Sequence, residues 1–77
     1  MSIKIKAFGL IAEKMDAREI RVDQTKTTAE LKALLHERYP ALEKLDFAIA
    51  VDRRIVNDNT PLEPGAEVAL LPPFSGG

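Results

Sequence analysis

A chain of 77 residues without a single cysteine has no disulfide to close its loops and no thiolate to hold a metal. Packing alone must stabilise whatever it folds into. At that length surface scaling allows one core, burying roughly 60% of the unfolded surface, which suits one sheet and one helix better than a deep catalytic pocket. A single folded unit is expected, and not a free-standing enzyme. Hydrophobic residues at 45% and charged residues at 30% describe an ordinary globular domain and argue against disorder. With 11 Lys+Arg against 12 Asp+Glu the net charge is -1 and the basic residues are dispersed, so nucleic acid is not an expected partner. The start, Met1-Ser2-Ile3-Lys4-Ile5-Lys6, alternates and does not form an apolar leader, and no apolar run approaches the roughly 20 residues of a membrane span. No membrane partner is expected, and a reducing cytoplasm is the compatible location.

From Ser2 to Phe8 the residues alternate, with Ile3, Ile5 and Ala7 on one face and Lys4, Lys6 and Phe8 on the other, as in a half-buried strand. A short connection holding Gly9, Ala12, Glu13 and Lys14 leads to Glu19-Ile20-Arg21-Val22-Asp23, a second strand with Ile20 and Val22 inward. The two are expected to form a wide hairpin. Thr27-Thr28-Ala29-Glu30 has capping-box spacing and predicts a helix start. Leu31, Leu34 and Leu35 repeat on one face, and Pro40 disfavours helix at Tyr39, so the helix ends near Arg38. Phe47 to Val51 reads as a strand, Asp52-Arg53-Arg54 as a tight turn and Ile55-Val56 as a short returning strand. Pro64-Gly65 suits a type II turn before a last strand from Glu67 to Leu71. This order predicts an α+β domain over residues 1–71, a mixed sheet with one main helix packed on one face.

Residues 72–77, Pro72-Pro73-Phe74-Ser75-Gly76-Gly77, form a separate tail. Consecutive prolines supply no amide donors and bias the chain toward an extended, polyproline-like path away from the sheet. Six extended residues reach roughly 16 to 20 Å, far enough to enter another protein's cleft. The final glycines lack a Cβ and so suit a narrow channel and close approach of foreign backbone. The dipeptide alone fits a frayed end equally well.

Read together, Leu70-Leu71-Pro72-Pro73-Phe74-Ser75-Gly76-Gly77 and the preceding Thr60-Pro61-Leu62-x-Pro64-Gly65-x-Glu67-Val68-Ala69 resemble the small, sulfur-carrying subunits of molybdopterin synthase. These are ubiquitin-like β-grasp proteins of the MoaD/ThiS superfamily, and the resemblance covers the whole chain. Ala12, where many relatives carry arginine, and Asp52, where asparagine is frequent, depart from the pattern and bear on partner contacts. The resemblance implies that the first and last strands lie parallel at the sheet centre. It also implies a cycle. A ubiquitin-activating-type adenylyltransferase uses MgATP to adenylate the Gly77 carboxylate, and a sulfur donor enzyme then displaces AMP. The resulting thiocarboxylate enters the large synthase subunit and gives its sulfur to cyclic pyranopterin monophosphate, one carrier for each dithiolene sulfur of the molybdenum cofactor. Pro72, Pro73, Phe74, Ser75 and Gly76 would be the inserted tail, and the assembly a heterotetramer. The chain itself would be a non-catalytic subunit of a sulfurtransferase complex, with no stably bound cofactor or metal.

The residues present agree with that division of labour. A carboxylate repels nucleophiles and needs activation, yet the chain has no Cys, one His and no Gly-rich phosphate loop. Parity adds a docking surface. If Ile3, Ile5, Ile20, Val22, Phe47, Ile49, Val51, Val68 and Leu70 face the helix, then Phe8, Ala48, Ala50, Ala69 and Leu71 face outward. With the strand neighbours that the resemblance implies, Phe8 and Leu71 meet beside the tail root, with Ile55 and Phe74 as additions, and contiguous exposed apolar surface marks a partner site. The alternative is that Phe8 folds back over the sheet edge. His36 reads as part of a solvated helix face. Asp46, Asp52 and Asp58 read as turn residues, and Arg53-Arg54 as an exposed turn. Competing readings are a carrier for thiazole, cysteine or tRNA thiolation, a ubiquitin-like modifier joined through Gly77 to lysines, and a noncovalent interaction module.

Overall fold

The computed structural model describes residues 1–72, and its principal helix begins where the Thr27–Glu30 spacing predicts. Thr27 is extended (φ -140°, ψ 166°), and its hydroxyl accepts the N–H of Glu30 at 3.3 Å. Glu30 Oε2 accepts the N–H of Lys26 at 3.1 Å, one residue upstream of the amide a capping box uses. Helix α2 spans Thr28–Arg38, and Tyr39 closes it by donating its N–H to Leu35 O at 2.7 Å. Leu31 and Leu35 are fully buried and Leu34 packs at the margin of the core, as their spacing requires.

Strands β1 (Ser2–Ala7), β2 (Glu19–Asp23), β3 (Ala48–Val51), β4 (Arg54–Val56) and β5 (Glu67–Leu71) form one sheet in the order β2-β1-β5-β3-β4. The two central strands, β1 and β5, run parallel with Ile5 opposite Val68 and Ala7 opposite Leu70; the other pairings are antiparallel. Ile3, Ile5, Val68 and Leu70 have no exposed surface and meet Leu31, Leu35 and Leu42 in the core on the helix side. Ile20, Phe47, Ile49 and Val51 pack against that core from the same face. The architecture is a ubiquitin-like β-grasp: a mixed sheet covered on one face by α2.

Two short elements depart from the sequence reading. The connection after β1 is a helix, α1 (Gly9–Met15), which buries Ile11 and Met15. Residues Pro40–Lys44 form a 3₁₀ turn that buries Leu42. The hairpin of β1 and β2 is nevertheless antiparallel as expected, with Ile5 opposite Ile20. Between β3 and β4 the turn residues Asp52 and Arg53 both have positive φ, 48° and 72°, the signature of a type I′ hairpin turn. The Asp52 carboxylate accepts the Glu67 N–H at 3.1 Å, and the Asp52 N–H donates to Glu67 O at 2.9 Å, which ties this turn to the start of β5. Gly65 takes φ 83° with Ala66 N–H donating to Glu63 O at 3.1 Å, the expected type II turn at Pro64-Gly65.

The loop before that turn is clamped to the start of α2. Thr28, 5% exposed, accepts the Thr60 N–H on its hydroxyl at 2.9 Å, and its own N–H donates to Thr60 O at 2.8 Å. Asn59 Oδ1 accepts the Ala29 N–H at 2.9 Å, occupying a further free amide of the helix start.

Candidate functional site

The site is built around the end of β5. That strand lies between β1 and β3, and its last residue, Leu71, pairs with Ala48. Strand β1 ends level with it: Ala7 pairs with Leu70, and the Phe8 N–H donates to Leu70 O at 3.3 Å. Pro72 follows directly. Its Cγ lies 3.3 Å from where a Cβ on Gly9 would stand, and Gly9 itself has φ 60°. Glycine at 9 therefore allows two things at once, a left-handed backbone at the start of α1 and close passage of the tail root.

On the face of the sheet turned away from α2, residues fall into an apolar half and a charged half. Across the apolar half, Ile55 pairs with Ala50 and Ala50 with Ala69, while Ala48 pairs with Leu71 in the next row. Ala50 is only 5% exposed although it lies outside the helix-side core. Phe8, at 46%, and Ile55, at 47%, remain in solvent, and Leu71 is half-buried. The charged half carries Lys4 with Glu19 at 3.8 Å and Lys6 with Glu67 at 3.6 Å. All four side chains are more than a third exposed, so these pairs contribute little to stability and serve as a polar border to the apolar patch.

Of the residues assigned from the sequence, Phe8, Leu71 and Pro72 are thus brought together at one end of the central strands. Ile55 belongs to the same face but stands two strands from β5, paired with Ala50 of β3. Pro73, Phe74, Ser75, Gly76 and Gly77 lie outside the described residues. Two residues at the tail root escaped the sequence reading: Gly9, whose position beside Pro72 depends on the register of β1 and β5, and Leu10, 50% exposed next to it. The signal available was the pair of large apolar residues flanking a glycine.

His36 differs from its expected place on a solvated face. It is half-buried, its ring meets the edge of Phe47 at 6.2 Å, and its Nε2 is buried without a hydrogen-bond partner among the described residues. The Lys32 ammonium lies 5.8 Å from the centre of the same phenyl ring. Helix periodicity counts only a helix's own residues, whereas Phe47 arrives from the sheet and covers this side of α2. Among the described residues no three His, Asp or Glu side chains gather as a metal set, and no helix is long and apolar enough to cross a membrane.

Fold and site together define a β-grasp domain whose central strand β5 ends at Leu71, with Pro72 following it beside an apolar pad. The ThiS family matches residues 5–77, and the chain belongs to that family. It is 36% identical to the molybdopterin synthase sulfur carrier subunit of Caenorhabditis briggsae over 83 residues, covering 100% of this chain and 99% of that one. Among solved structures, it is similar to a chain in the complex of subunits 1 and 2 of the molybdopterin-converting factor from Helicobacter pylori, with 30% identity, TM-score 0.73 and full coverage of both chains. It is also similar to SAMP1 of Haloferax volcanii, with 27% identity, TM-score 0.83 and full coverage of both.

Proposed function

We propose that this chain is the sulfur-carrying small subunit of a molybdopterin synthase, with the Gly77 carboxylate as its reactive group. The observation that carries the reading is end-to-end similarity, at 36% identity, to a protein named for that role. The tail root supports it. Pro72 leaves the end of a central strand, and the apolar residues Phe8 and Leu71 lie beside it, as a docking subunit needs. The Helicobacter pylori relative is found in complex with a second subunit, which supports a large synthase subunit as partner.

The chemistry follows from what a carboxylate requires. An activating partner holding MgATP joins AMP to the Gly77 carboxylate and releases pyrophosphate, turning a charged, unreactive group into an acyl phosphate anhydride. A sulfur donor attacks the acyl carbon, AMP leaves, and the terminus becomes a thiocarboxylate. Within the large subunit its sulfur attacks a carbon of the pterin precursor, displacing that carbon's oxygen substituent and forming a thioester; water then cleaves the acyl–sulfur bond, leaving the sulfur on the pterin and returning the terminus to a carboxylate. Every catalytic group belongs to a partner. This chain, without a cysteine, supplies the terminus and the docking surface.

Intact mass after incubation with ATP, an activating enzyme and sulfide tests the reading. One oxygen exchanged for sulfur at Gly77 is the expected result, followed by its loss when the large subunit and pterin precursor are added. A terminus left unchanged by an activating enzyme that loads another carrier in parallel would refute it. Similarity to SAMP1, a small archaeal modifier protein, favours one second reading, in which Gly77 forms isopeptide bonds with lysines. Conjugate ladders that vanish on deletion of Gly77 would support that reading instead.

A further inference from the structure

Helix α2 covers the middle of the sheet, where Val68 and Leu70 are removed from solvent, and leaves the β3–β4 margin open. Phe47, Ile49 and Val56 stay half-buried there, as the floor of a groove of about 660 Å³ whose helix wall carries Lys32 and His36. Three exposed carboxylates, Glu43, Asp46 and Asp58, stand on its border. The ion pairs among the described residues, Lys4–Glu19 and Lys6–Glu67, use none of them, and the Lys32 ammonium lies 5.8 Å from the centre of the Phe47 ring. The groove thus joins an incompletely covered apolar floor to a border of negative charge.

Its outer wall is the edge of the sheet. The two-residue turn at Asp52 and Arg53 makes Val51 and Arg54 a hydrogen-bonded pair, so by alternation Ile55, next along β4, turns its N–H and C=O away from β3. No strand lies on that side, and no other backbone bond among the described residues engages Ile55. We propose that the groove and the β4 edge together form a second docking surface, taken by an extended segment of a partner protein. The segment pairs with Ile55 as a further strand and directs alternate side chains onto the helix side. One of these is large and apolar and covers Phe47 and Val56; another, two residues away, is a lysine or arginine that meets Asp46 and Asp58. Arg54, at the other end of β4, repels a second cation. A second copy of this chain fits less well, because pairing β4 with β4 would bring up only Arg54 and Val56 on the helix side and leave Phe47 and Ile49 uncovered. The surface lies on the opposite side of the sheet from the outer-face pad of Phe8 and Leu71, so the two can be occupied together.

The test follows backbone amide chemical shifts of the full chain on addition of two peptides that present the same side chains in opposite chain directions, acetyl-TKTITTT-amide and acetyl-TTTITKT-amide. One of them is expected to saturate with a dissociation constant of about 1 mM or below and to move the amides of Ile55, Asn57 and Phe47, while the same peptides with glutamate in place of lysine bind at least about fivefold more weakly. Ile55→Pro removes the outward N–H without breaking the ladder to β3, and should abolish the response. Asp46→Asn combined with Asp58→Asn should bring the lysine peptide down to the level of the glutamate peptide. If Ile55→Pro does not fold, this second variant decides. The proposal is refuted if neither lysine peptide saturates, if the glutamate peptides bind equally well, or if the shifts fall on the Phe8–Leu71 face instead. Shifts at Ile55 that depend on protein concentration without any peptide would put a second copy at the edge and overturn it as well.

Discussion

Single residues in this chain are most informative where backbone and side chain disagree with ordinary preference. Arg53 occupies φ 72° in an exposed turn, a conformation that costs an L-residue about 1–2 kcal/mol and glycine almost nothing. Arg53→Gly is therefore expected to raise stability by about 1 kcal/mol in urea denaturation, after the entropy that glycine adds to the unfolded chain is counted. Thr28 shows the opposite situation, a buried hydroxyl that the Thr60 amide depends on. Thr28→Val keeps the shape and strands that amide, so about 1–3 kcal/mol should be lost in the same measurement. The capping spacing at Thr27–Glu30 was readable, but the use of Thr28 was not. Its partners, Asn59 and Thr60, come from a loop some thirty positions on, and local sequence holds no trace of that meeting.

Elements were legible in proportion to their regularity. Helix α2 announces itself through Thr27, the leucines and Pro40, the first two strands through alternation, and the later three through short apolar runs set between turns. Helix α1 does not, because Phe8 provides no side-chain cap, Gly9 opens it at positive φ, and its seven residues allow barely two turns of pattern. The 3₁₀ turn at Pro40–Lys44 was hidden by the proline that correctly ended α2. Parity sorted the two faces of the sheet, because a strand's period leaves only one choice of inward face. Strand β5 is the element on which most depends, since it pairs on both sides and buries Val68 and Leu70 completely. Leu70→Ala is expected to destabilise the domain by about 2–5 kcal/mol, read as a lower denaturant midpoint. Removing the Lys6–Glu67 pair by substituting both with Ala should change stability by less than about 1 kcal/mol, because both groups are well exposed.

At the scale of the molecule, stability and the proposed chemistry occupy different parts of the chain. The core lies between the sheet and α2, while the proposed reactive group lies beyond Pro72. Deleting Gly76 and Gly77 should leave the melting temperature where it was and abolish sulfur loading in the mass assay. A variant that loses both would show that the tail belongs to the fold. Phe8→Asp and Leu71→Asp should each weaken the complex with the large subunit by about tenfold or more, as truncated interface anchors do. What the sequence could not supply at this scale was adjacency. That Phe8 lies beside Leu71 follows from a parallel pairing between strands more than sixty residues apart, and alternation within either strand is silent about its neighbour.

The same pairing has a consequence for how the protein is made. Without Glu67–Leu71 the β2-β1 ribbon and the β3-β4 hairpin have no shared edge, and each alone is too small to hold together in water. A polypeptide released early by the ribosome would remain open and be cleared by proteases, so any body that survives to meet a partner already carries the point from which its tail departs.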